Sequence, residues 1–171
     1  MIMRDALKKL TQKVELVIFD FDGVFTDNSV LVDQNGIESV RCSRSDGFGL
    51  RRLDEVNVQY CIVSSEINPV VSVRAQKLNI SVSQGHNDKL AVLMDIVREK
   101  CINIKNVAYV GNDINDISCL KKVGFPIAVQ DAFPEVIKVA KYITIRPGGY
   151  GAVREVCDLI YNSRKGVSEK I

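Results

Sequence analysis

The chain has 171 residues, of which 46% are hydrophobic and 26% are charged. These values exclude a disordered chain, a collagen-like repeat and a coiled coil, and the length predicts a single globular domain, since domains take roughly 100–200 residues. Lysine and arginine total 23 against 21 acidic residues. So small an excess of positive charge gives no basic face for nucleic acid.

The cysteines and the first segment bear on the cellular compartment. Five cysteines are widely spaced without a CxxC pattern, and the chain has one histidine. We therefore expect reduced thiols rather than a zinc site or a disulfide framework. The first 15 residues hold no apolar signal-peptide core, and no apolar run reaches the roughly 18 residues that a membrane-spanning helix needs. We expect a cytoplasmic protein with no membrane partner.

Short apolar runs typical of buried strands alternate with segments of helical period. The strand signals fall at 16–19, 58–63 and 107–110, with weaker ones at 80–82, 126–129 and 142–145. The helical segments fall at 48–56, 69–78, 89–101, 117–120, 136–139 and 153–160. This alternation predicts an α/β fold, a Rossmann-like three-layer sandwich around a mostly parallel sheet.

The segment at about 29–42 interrupts this alternation. Two short β-type runs flank Asn35-Gly36, a dipeptide that favours a two-residue hairpin turn because both central positions need positive φ. We expect an inserted β-hairpin that acts as a flap or subunit contact beside the end of the first strand. At the other end of the chain, the polar tail at 163–171 is expected to fray.

Polar side chains follow three of the predicted strands at the points where those strands end. They are Asp20 and Asp22, Ser64 and Ser65, and Asn112, Asp113 and Asp116. Ligands bind outside the carboxyl ends of parallel strands, so we expect these side chains to converge. Carboxylates this close together need a cation among them, and hard oxygen ligands suit Mg²⁺.

The same set of residues points to phosphoryl chemistry. An aspartate can attack a phosphoryl group as a covalent nucleophile. A serine hydroxyl and backbone amides can hold phosphate oxygens, and a lysine can neutralise their charge. Lys89 lies at the start of a predicted helix and is suited to that role. The residues therefore predict hydrolysis of a phosphomonoester.

The order of these motifs resembles that of the haloacid dehalogenase superfamily. The run DFDGVFTD at 20–27 looks like its first motif, and Ser64, Lys89 and the segment 111–116 occupy the other three motif positions. The segments 45–49, 106–111 and 148–155 are similar to the capless subfamily that contains 3-deoxy-D-manno-octulosonate 8-phosphate phosphatase. The resemblance covers about 10–162 and implies one domain over 1–171 without a cap.

The resemblance implies a Mg²⁺-dependent phosphatase that works through an aspartyl-phosphate. Asp20 would be the nucleophile and Asp22 the general acid and base, while Ser64 and Lys89 would hold the phosphate. Asp113 or Asp116 would support the metal site. The metal ligands would be Asp20, Asp22, and Asn112 or Asp113. Substrate contacts would come from Gly23, Asp46, Gly47, Arg51, Ser65, Glu66 and Arg74. The family assembles as a homotetramer in which the inserted hairpin and neighbouring subunits close the site.

Three positions depart from the octulosonate pattern. Asn112 stands where the family usually has aspartate, Glu66 stands where it has arginine, and Tyr150 also replaces an arginine. Glu66 and Tyr150 look more like the nonulosonate (sialic-acid-like, KDN) 9-phosphate phosphatases. We expect a 2-keto-3-deoxy sugar acid phosphate of the octulosonate class as substrate, with a nonulosonate phosphate as the alternative. A non-catalytic tetramerisation module, related to the C-terminal domain of CMP-sialate synthetases, is disfavoured because both Asp20 and Asp22 are present.

Overall fold

The computed structural model describes residues 2–167. The helices in chain order are α1 (Ile2–Lys13), α2 (Ser45–Asp54), α3 (Val70–Leu78), α4 (Lys89–Glu99), α5 (Ile117–Lys122), α6 (Pro134–Ile137) and α7 (Ala152–Lys165). The strands are β1 (Leu16–Phe19), β2 (Leu31–Val32), β3 (Glu38–Ser39), β4 (Gln59–Val63), β5 (Ser81–Ser83), β6 (Val107–Gly111), β7 (Phe125–Ala128) and β8 (Tyr142–Ile143). The predicted alternation of strand and helix is confirmed.

Six strands form one parallel sheet in the order β5-β4-β1-β6-β7-β8. From β1 the chain adds β4 and then β5 on one side. It then crosses back to add β6, β7 and β8 on the other side of β1. Because crossovers between parallel strands are right-handed, the two directions place their helices on opposite faces. The packing agrees, since α2 contacts α7 and α7 contacts α1, whereas α5 contacts both α4 and α6.

The two central strands are buried along their whole length. Every residue of β1 and β6 is inaccessible to solvent, because helices cover both faces of the sheet and two strands flank each. This explains why both appear in the sequence as continuous apolar runs rather than as alternating patterns. The edge strand β5 is only partly covered, and its weak sequence signal reflects that position.

Helix α1 was not predicted, and it changes the expectation for the end of the chain. Leu7 and Leu10 are the partly buried residues of α1 that pack against the core, and two such residues make a weak periodic signal. The Thr11 hydroxyl lies 2.7 Å from that of Ser163 on α7. The predicted fraying from residue 163 is therefore wrong for 163–165, which are helical. Residues 168–171 of the predicted tail lie outside the described residues.

The inserted segment forms a hairpin, with Leu31 opposite Ser39 and Val32 opposite Glu38. Its strands are shorter than predicted, and its turn differs from the expected two-residue type. Gly36 has a positive φ of 77° but Asn35 does not. The Asp33 carboxylate accepts the N–H groups of Asn35 and Ile37, both at 2.8 Å. This local carboxylate cap stabilises a three-residue loop instead.

Three further expectations can be compared with the described residues. Among residues 2–167 no helix is long and apolar enough to cross a membrane. All five cysteines are free thiols. Between the described strands β1 and β4 the insertion is the hairpin, and no segment of cap size is present there.

Candidate active site

The site lies where the strand order changes direction, at the carboxyl ends of β1 and β6. Asp20 follows β1 and Asn112 follows β6, and the two strands are hydrogen-bonded neighbours. The chain then turns sharply, with Gly23 at a φ of +74°. A Cβ at Gly23 would lie 2.0 Å from Nδ2 of Asn112. The glycine therefore allows the first and last motifs to meet, and its N–H donates to the Thr26 hydroxyl at 3.0 Å.

A buried lysine joins two aspartates at this point. The Lys89 ammonium lies 2.8 Å from Oδ2 of Asp20 and 2.9 Å from Oδ1 of Asp116. Asp88 caps the start of α4 by accepting the Ala91 N–H at 3.0 Å, which fixes the helix end from which Lys89 projects. All three charged side chains are almost wholly buried. Their mutual pairing is what makes the burial of these charges tolerable.

Asp116 holds the lysine by using both of its oxygens. Oδ1 also accepts the Tyr109 hydroxyl at 2.8 Å. Oδ2 accepts the backbone N–H groups of Asn112 at 3.0 Å and Asp113 at 3.4 Å. The carboxylate of Asp113 in turn caps the short helical turn that follows, through the Ile114 N–H. Asp116 therefore orients Lys89 and braces the last motif.

The protonation of these groups follows from burial and charge. Burial, with a smaller contribution from Asp116, raises the pKa of Asp20 to about 8, against the opposing effect of Lys89. Burial alone would lower the pKa of Lys89, but Asp20 and Asp116 outweigh it and the pKa is raised. Burial also raises the pKa of Asp22, with Glu66 adding to the effect. Lys89 is therefore charged, and Asp22 is suited to carry a proton.

The loop after β4 closes another side of the site. The buried Ser64 hydroxyl accepts the Glu66 N–H at 3.1 Å. The Ser65 hydroxyl accepts a hydrogen bond from Asn115, at 3.3 Å, and so touches the last motif. The Glu66 carboxylate accepts two backbone N–H groups of its own loop and influences Asp22 electrostatically. The structure therefore brings Ser64, Ser65 and Glu66 to the carboxylate cluster.

The residues at this point fit a divalent cation. Oδ1 of Asn112 is buried and has no hydrogen-bond partner among the described residues, an arrangement that is costly unless another group binds it. The donors would be the Asp20 carboxylate, the Asp22 backbone carbonyl and this amide oxygen, all hard oxygen ligands. No group of three or more His, Cys, Asp or Glu side chains in the described part of the chain could hold a metal. Asp113 is engaged in its cap, so Asn112 is the better candidate.

The other predicted substrate residues lie around a neighbouring cavity of about 620 Å³. Gly47, Arg51 and Arg74 line this cavity, and so do Arg44 and Lys77, which the sequence analysis did not single out. We call it the cationic cavity. Cys42 also lines it and forms an isolated antiparallel β-bridge with Thr26 of the first motif. The cationic cavity therefore lies beside the segment that follows Asp20 and Asp22.

Asp46 is not among the described residues that line the cationic cavity. It is 1% exposed, and neither of its oxygens makes a hydrogen bond of normal geometry within residues 2–167. Burial raises its pKa to about 7, against the nearby Arg74 guanidinium and the Arg154 backbone N–H. Arg74 itself donates to the Ser43 carbonyl at 2.7 Å. The substrate contact of Asp46 stays a prediction.

Some residues of the site were missed by the sequence analysis. Tyr109 is a fully buried residue of β6, and nothing in an apolar run marks its hydroxyl as the partner of Asp116. Lys77 could have been found, because it lies one helical turn after Arg74 and therefore shares its face.

A buried carboxylate paired with lysine at the switch point of a parallel sheet is an arrangement suited to phosphoryl transfer. Comparisons with known proteins identify the class. The model of the haloacid dehalogenase-like hydrolases matches residues 53–151. The 3-deoxy-D-manno-octulosonate 8-phosphate phosphatase of Salmonella typhi is 38% identical over 150 residues, covering 87% of this chain and 80% of that protein. Its counterpart in Escherichia coli K12 is 36% identical over 160 residues, covering 93% and 85%.

A solved structure extends the similarity to three dimensions. The octulosonate phosphatase of Moraxella catarrhalis, in complex with a magnesium ion, a phosphate ion and a KDO molecule, superimposes with a TM-score of 0.91 at 30% identity. The match covers 95% of this chain and 94% of that one. The chain therefore belongs to the haloacid dehalogenase-like hydrolases, and it is a phosphatase. Phosphatases of this family use a divalent metal.

Proposed function

We propose that this phosphatase hydrolyses the phosphate monoester of a 2-keto-3-deoxy sugar acid, of the octulosonate 8-phosphate class, with Mg²⁺ as its metal. The bridge from Lys89 to Asp20 and Asp116 is the observation that carries the proposal. It leaves one buried carboxylate beside a fixed positive charge at the ligand-binding edge of the sheet. The named activity and the bound magnesium of the relatives support the choice of substrate class and metal.

In the first step the Asp20 carboxylate attacks phosphorus and the bond from phosphorus to the sugar oxygen breaks. Asp22 gives its proton to that oxygen, as its raised pKa allows. Lys89 and the Ser64 hydroxyl bind the phosphoryl oxygens. Asp20, Asp22 and Asn112 would hold Mg²⁺, which supplies charge stabilisation to the phosphoryl group and favours the ionised form of Asp20.

In the second step Asp22, now ionised, takes a proton from water. That water attacks phosphorus in the aspartyl-phosphate, the bond from phosphorus to Asp20 breaks, and inorganic phosphate leaves. Asp116 keeps Lys89 in position throughout, because its oxygens are already bound by Tyr109 and two backbone N–H groups. Preorganised charge of this kind is the largest contribution to catalysis in phosphoryl transfer.

The cationic cavity would receive the carboxylate of the sugar acid. Arg44, Arg51, Arg74 and Lys77 line it, and arginine is suited to bidentate binding of carboxylates. We propose that the protein acts in the cytoplasm as a homotetramer, in which the hairpin of one subunit helps to close the site of another.

The test is release of inorganic phosphate with Mg²⁺ from 3-deoxy-D-manno-octulosonate 8-phosphate, by the wild type and by Asp20→Asn. We expect turnover by the wild type and a loss of at least about a thousandfold in the variant, because the nucleophile is removed while its shape is kept. Unchanged thermal unfolding would show that the variant is folded. Turnover that survives in Asp20→Asn would contradict the mechanism, and a wild type inactive on this sugar would contradict the substrate.

A second candidate substrate is a nonulosonate 9-phosphate, and Glu66 is the observation in its favour. Its carboxylate is fixed by the N–H groups of Ile67 at 2.8 Å and Asn68 at 2.7 Å, and its charge adds to the raised pKa of Asp22. An acid there accepts hydrogen bonds from sugar hydroxyls, whereas the arginine of the octulosonate pattern would bind the sugar carboxylate. We expect Glu66→Arg to shift the ratio of kcat/KM toward the octulosonate phosphate by about tenfold or more. Glu66→Gln is the matched control, and an unchanged ratio in Glu66→Arg would show that Glu66 does not select.

A further inference from the structure

The hairpin, residues 29–42, projects from the body of the molecule beside the site. All four residues of its two strands are exposed. A hydrogen bond of 2.9 Å from Nδ2 of Asn68 to Oε2 of Glu38 joins its second strand to the loop between β4 and α3. Asn68 therefore connects the flap to the loop that carries Ser64 and Glu66.

The orientation of Asn68 is determined by other bonds. Its Oδ1 accepts the Val70 N–H at 3.0 Å, so the amide must present Nδ2 to Glu38. Its backbone N–H donates to Oε1 of Glu66 at 2.7 Å. Its carbonyl accepts from the Gln84 side chain at 3.4 Å. One half-buried asparagine thus binds two carboxylates and is itself anchored to the following helix and to the loop after β5.

The two carboxylates that Asn68 binds adjoin the catalytic loop. The Glu66 N–H donates to the Ser64 hydroxyl at 3.1 Å, and the neighbouring Ser65 hydroxyl accepts from Asn115 of the last motif at 3.3 Å. Like charges at one edge of a site repel each other and would move apart without a shared donor. Asn68 supplies that donor through two of its N–H groups, one from the side chain and one from the backbone.

We propose that Asn68 is a positioning residue for substrate recognition, which latches the hairpin to the body and holds Glu38 and Glu66 as paired hydrogen-bond acceptors for substrate hydroxyls. The inference rests on the proposed sugar acid substrate, because only a polyhydroxyl leaving group would use such a pair. A small aryl phosphate reaches the phosphate site without it.

The test exchanges the donor and the acceptor of the hydrogen bond between Asn68 and Glu38. Asn68→Asp keeps the acceptor for the Val70 N–H but places a carboxylate against Glu38, which breaks the latch. Glu38→Gln keeps an acceptor for Asn68 and serves as the reference. The double variant Asn68→Asp with Glu38→Gln restores one hydrogen bond with its polarity reversed. Light scattering and thermal unfolding of all three variants would show equal mass and folding.

Two measurements test whether Asn68 holds the hairpin to the body of the molecule. The first is hydrogen exchange of peptides covering 29–42, which we expect to be faster in Asn68→Asp and to return to the Glu38→Gln rate in the double variant. The second is kcat/KM for the sugar acid phosphate and for p-nitrophenyl phosphate. In Asn68→Asp we expect a loss of about tenfold on the sugar, mainly in KM, and a change of less than about twofold on the aryl phosphate.

Some results would overturn the inference. If Asn68→Asp leaves the hydrogen exchange of the hairpin unchanged, Asn68 does not hold the hairpin to the body. The same conclusion follows if the hairpin exchanges as fast in the double variant as in Asn68→Asp alone. An equal loss on both substrates would mean that Asn68 affects the chemistry or the fold rather than recognition. Failure of the proposed function would be seen elsewhere, as a wild type that hydrolyses the aryl phosphate but no sugar acid phosphate.

Discussion

At the scale of single residues, the buried carboxyl groups differ in their surroundings. Some are paired with a buried lysine, and Asp46 is not. Lys89, Asp20 and Asp116 neutralise much of one another's charge although they are buried. Asp46 is also buried, and within residues 2–167 its oxygens make no hydrogen bond of normal geometry. The nearby Arg74 guanidinium and the Arg154 backbone N–H only partly offset the burial that raises its pKa, so its neutral form is favoured. Asp46 should therefore reduce stability at the pH at which the catalytic cluster works.

The pH dependence of stability tests this difference. The pKa of Asp46 is about 7 in the folded protein, against an ordinary value of 3.8. Between these values the folded state binds more protons than the unfolded state, so the free energy of unfolding falls as pH rises and levels off above about 7. Asp46→Asn removes this titration. In urea unfolding we expect the variant to gain stability relative to the wild type between pH 5 and pH 8, on the order of 2–4 kcal/mol.

The prediction depends on how the stability difference between Asp46→Asn and the wild type changes with pH. A difference between Asp46→Asn and the wild type that is constant across this pH range would show that Asp46 is ionised throughout or is paired through water. A difference that shrank as pH rose would mean that the folded state favours the ionised form. Either result would assign Asp46 a bound partner.

At the scale of elements, the sequence predicts the central strands with their bounds, the edge strands and the hairpin only approximately, and helix α1 not at all. β1 has the bounds that its apolar run predicts, and β6 extends that run by Gly111 alone. Because both faces of such strands are buried, every residue in them is hydrophobic or small, and the sequence shows a continuous apolar run. The edge strands are weaker signals, and β8 spans only Tyr142–Ile143 where 142–145 was expected. An edge strand has one partner, so less of its sequence is constrained.

Contacts between distant segments account for what was missed. Helix α1 has too little apolar surface to be evident alone, and it is held by α7 through Thr11 and Ser163. The hairpin turn was expected from Asn35-Gly36, but Asp33 captures the backbone N–H groups and selects a longer loop. In the candidate site, the motif residues could be identified from their order along the chain. The hydroxyl of Tyr109 and the amide of Asn68 could not, because their roles depend on partners far away in sequence.

At the scale of the whole molecule, the hairpin leaves an apolar surface that the rest of the described chain, residues 2–167, does not cover. Val30, Leu31, Val32 and Ile37 are all more than half exposed. An exposed cluster on a two-stranded ribbon is unusual in a monomer, because such a ribbon is barely stable without packing. A second copy of the chain would bury it, and that contact would also bring the flap of one subunit to the site of another.

Leu31→Lys tests the assembly, and Ile145→Lys is its matched control. Both side chains are 75% exposed, so neither charge disturbs the packing within one chain. If the hairpin is an interface, Leu31→Lys will have a smaller mass than the wild type by light scattering, while Ile145→Lys keeps the wild-type mass. The smaller species should hydrolyse p-nitrophenyl phosphate normally and lose turnover of the sugar acid phosphate, because the catalytic cluster is complete within one subunit and the recognition surface is not. Equal masses for Leu31→Lys and the wild type would show that the hairpin faces solvent.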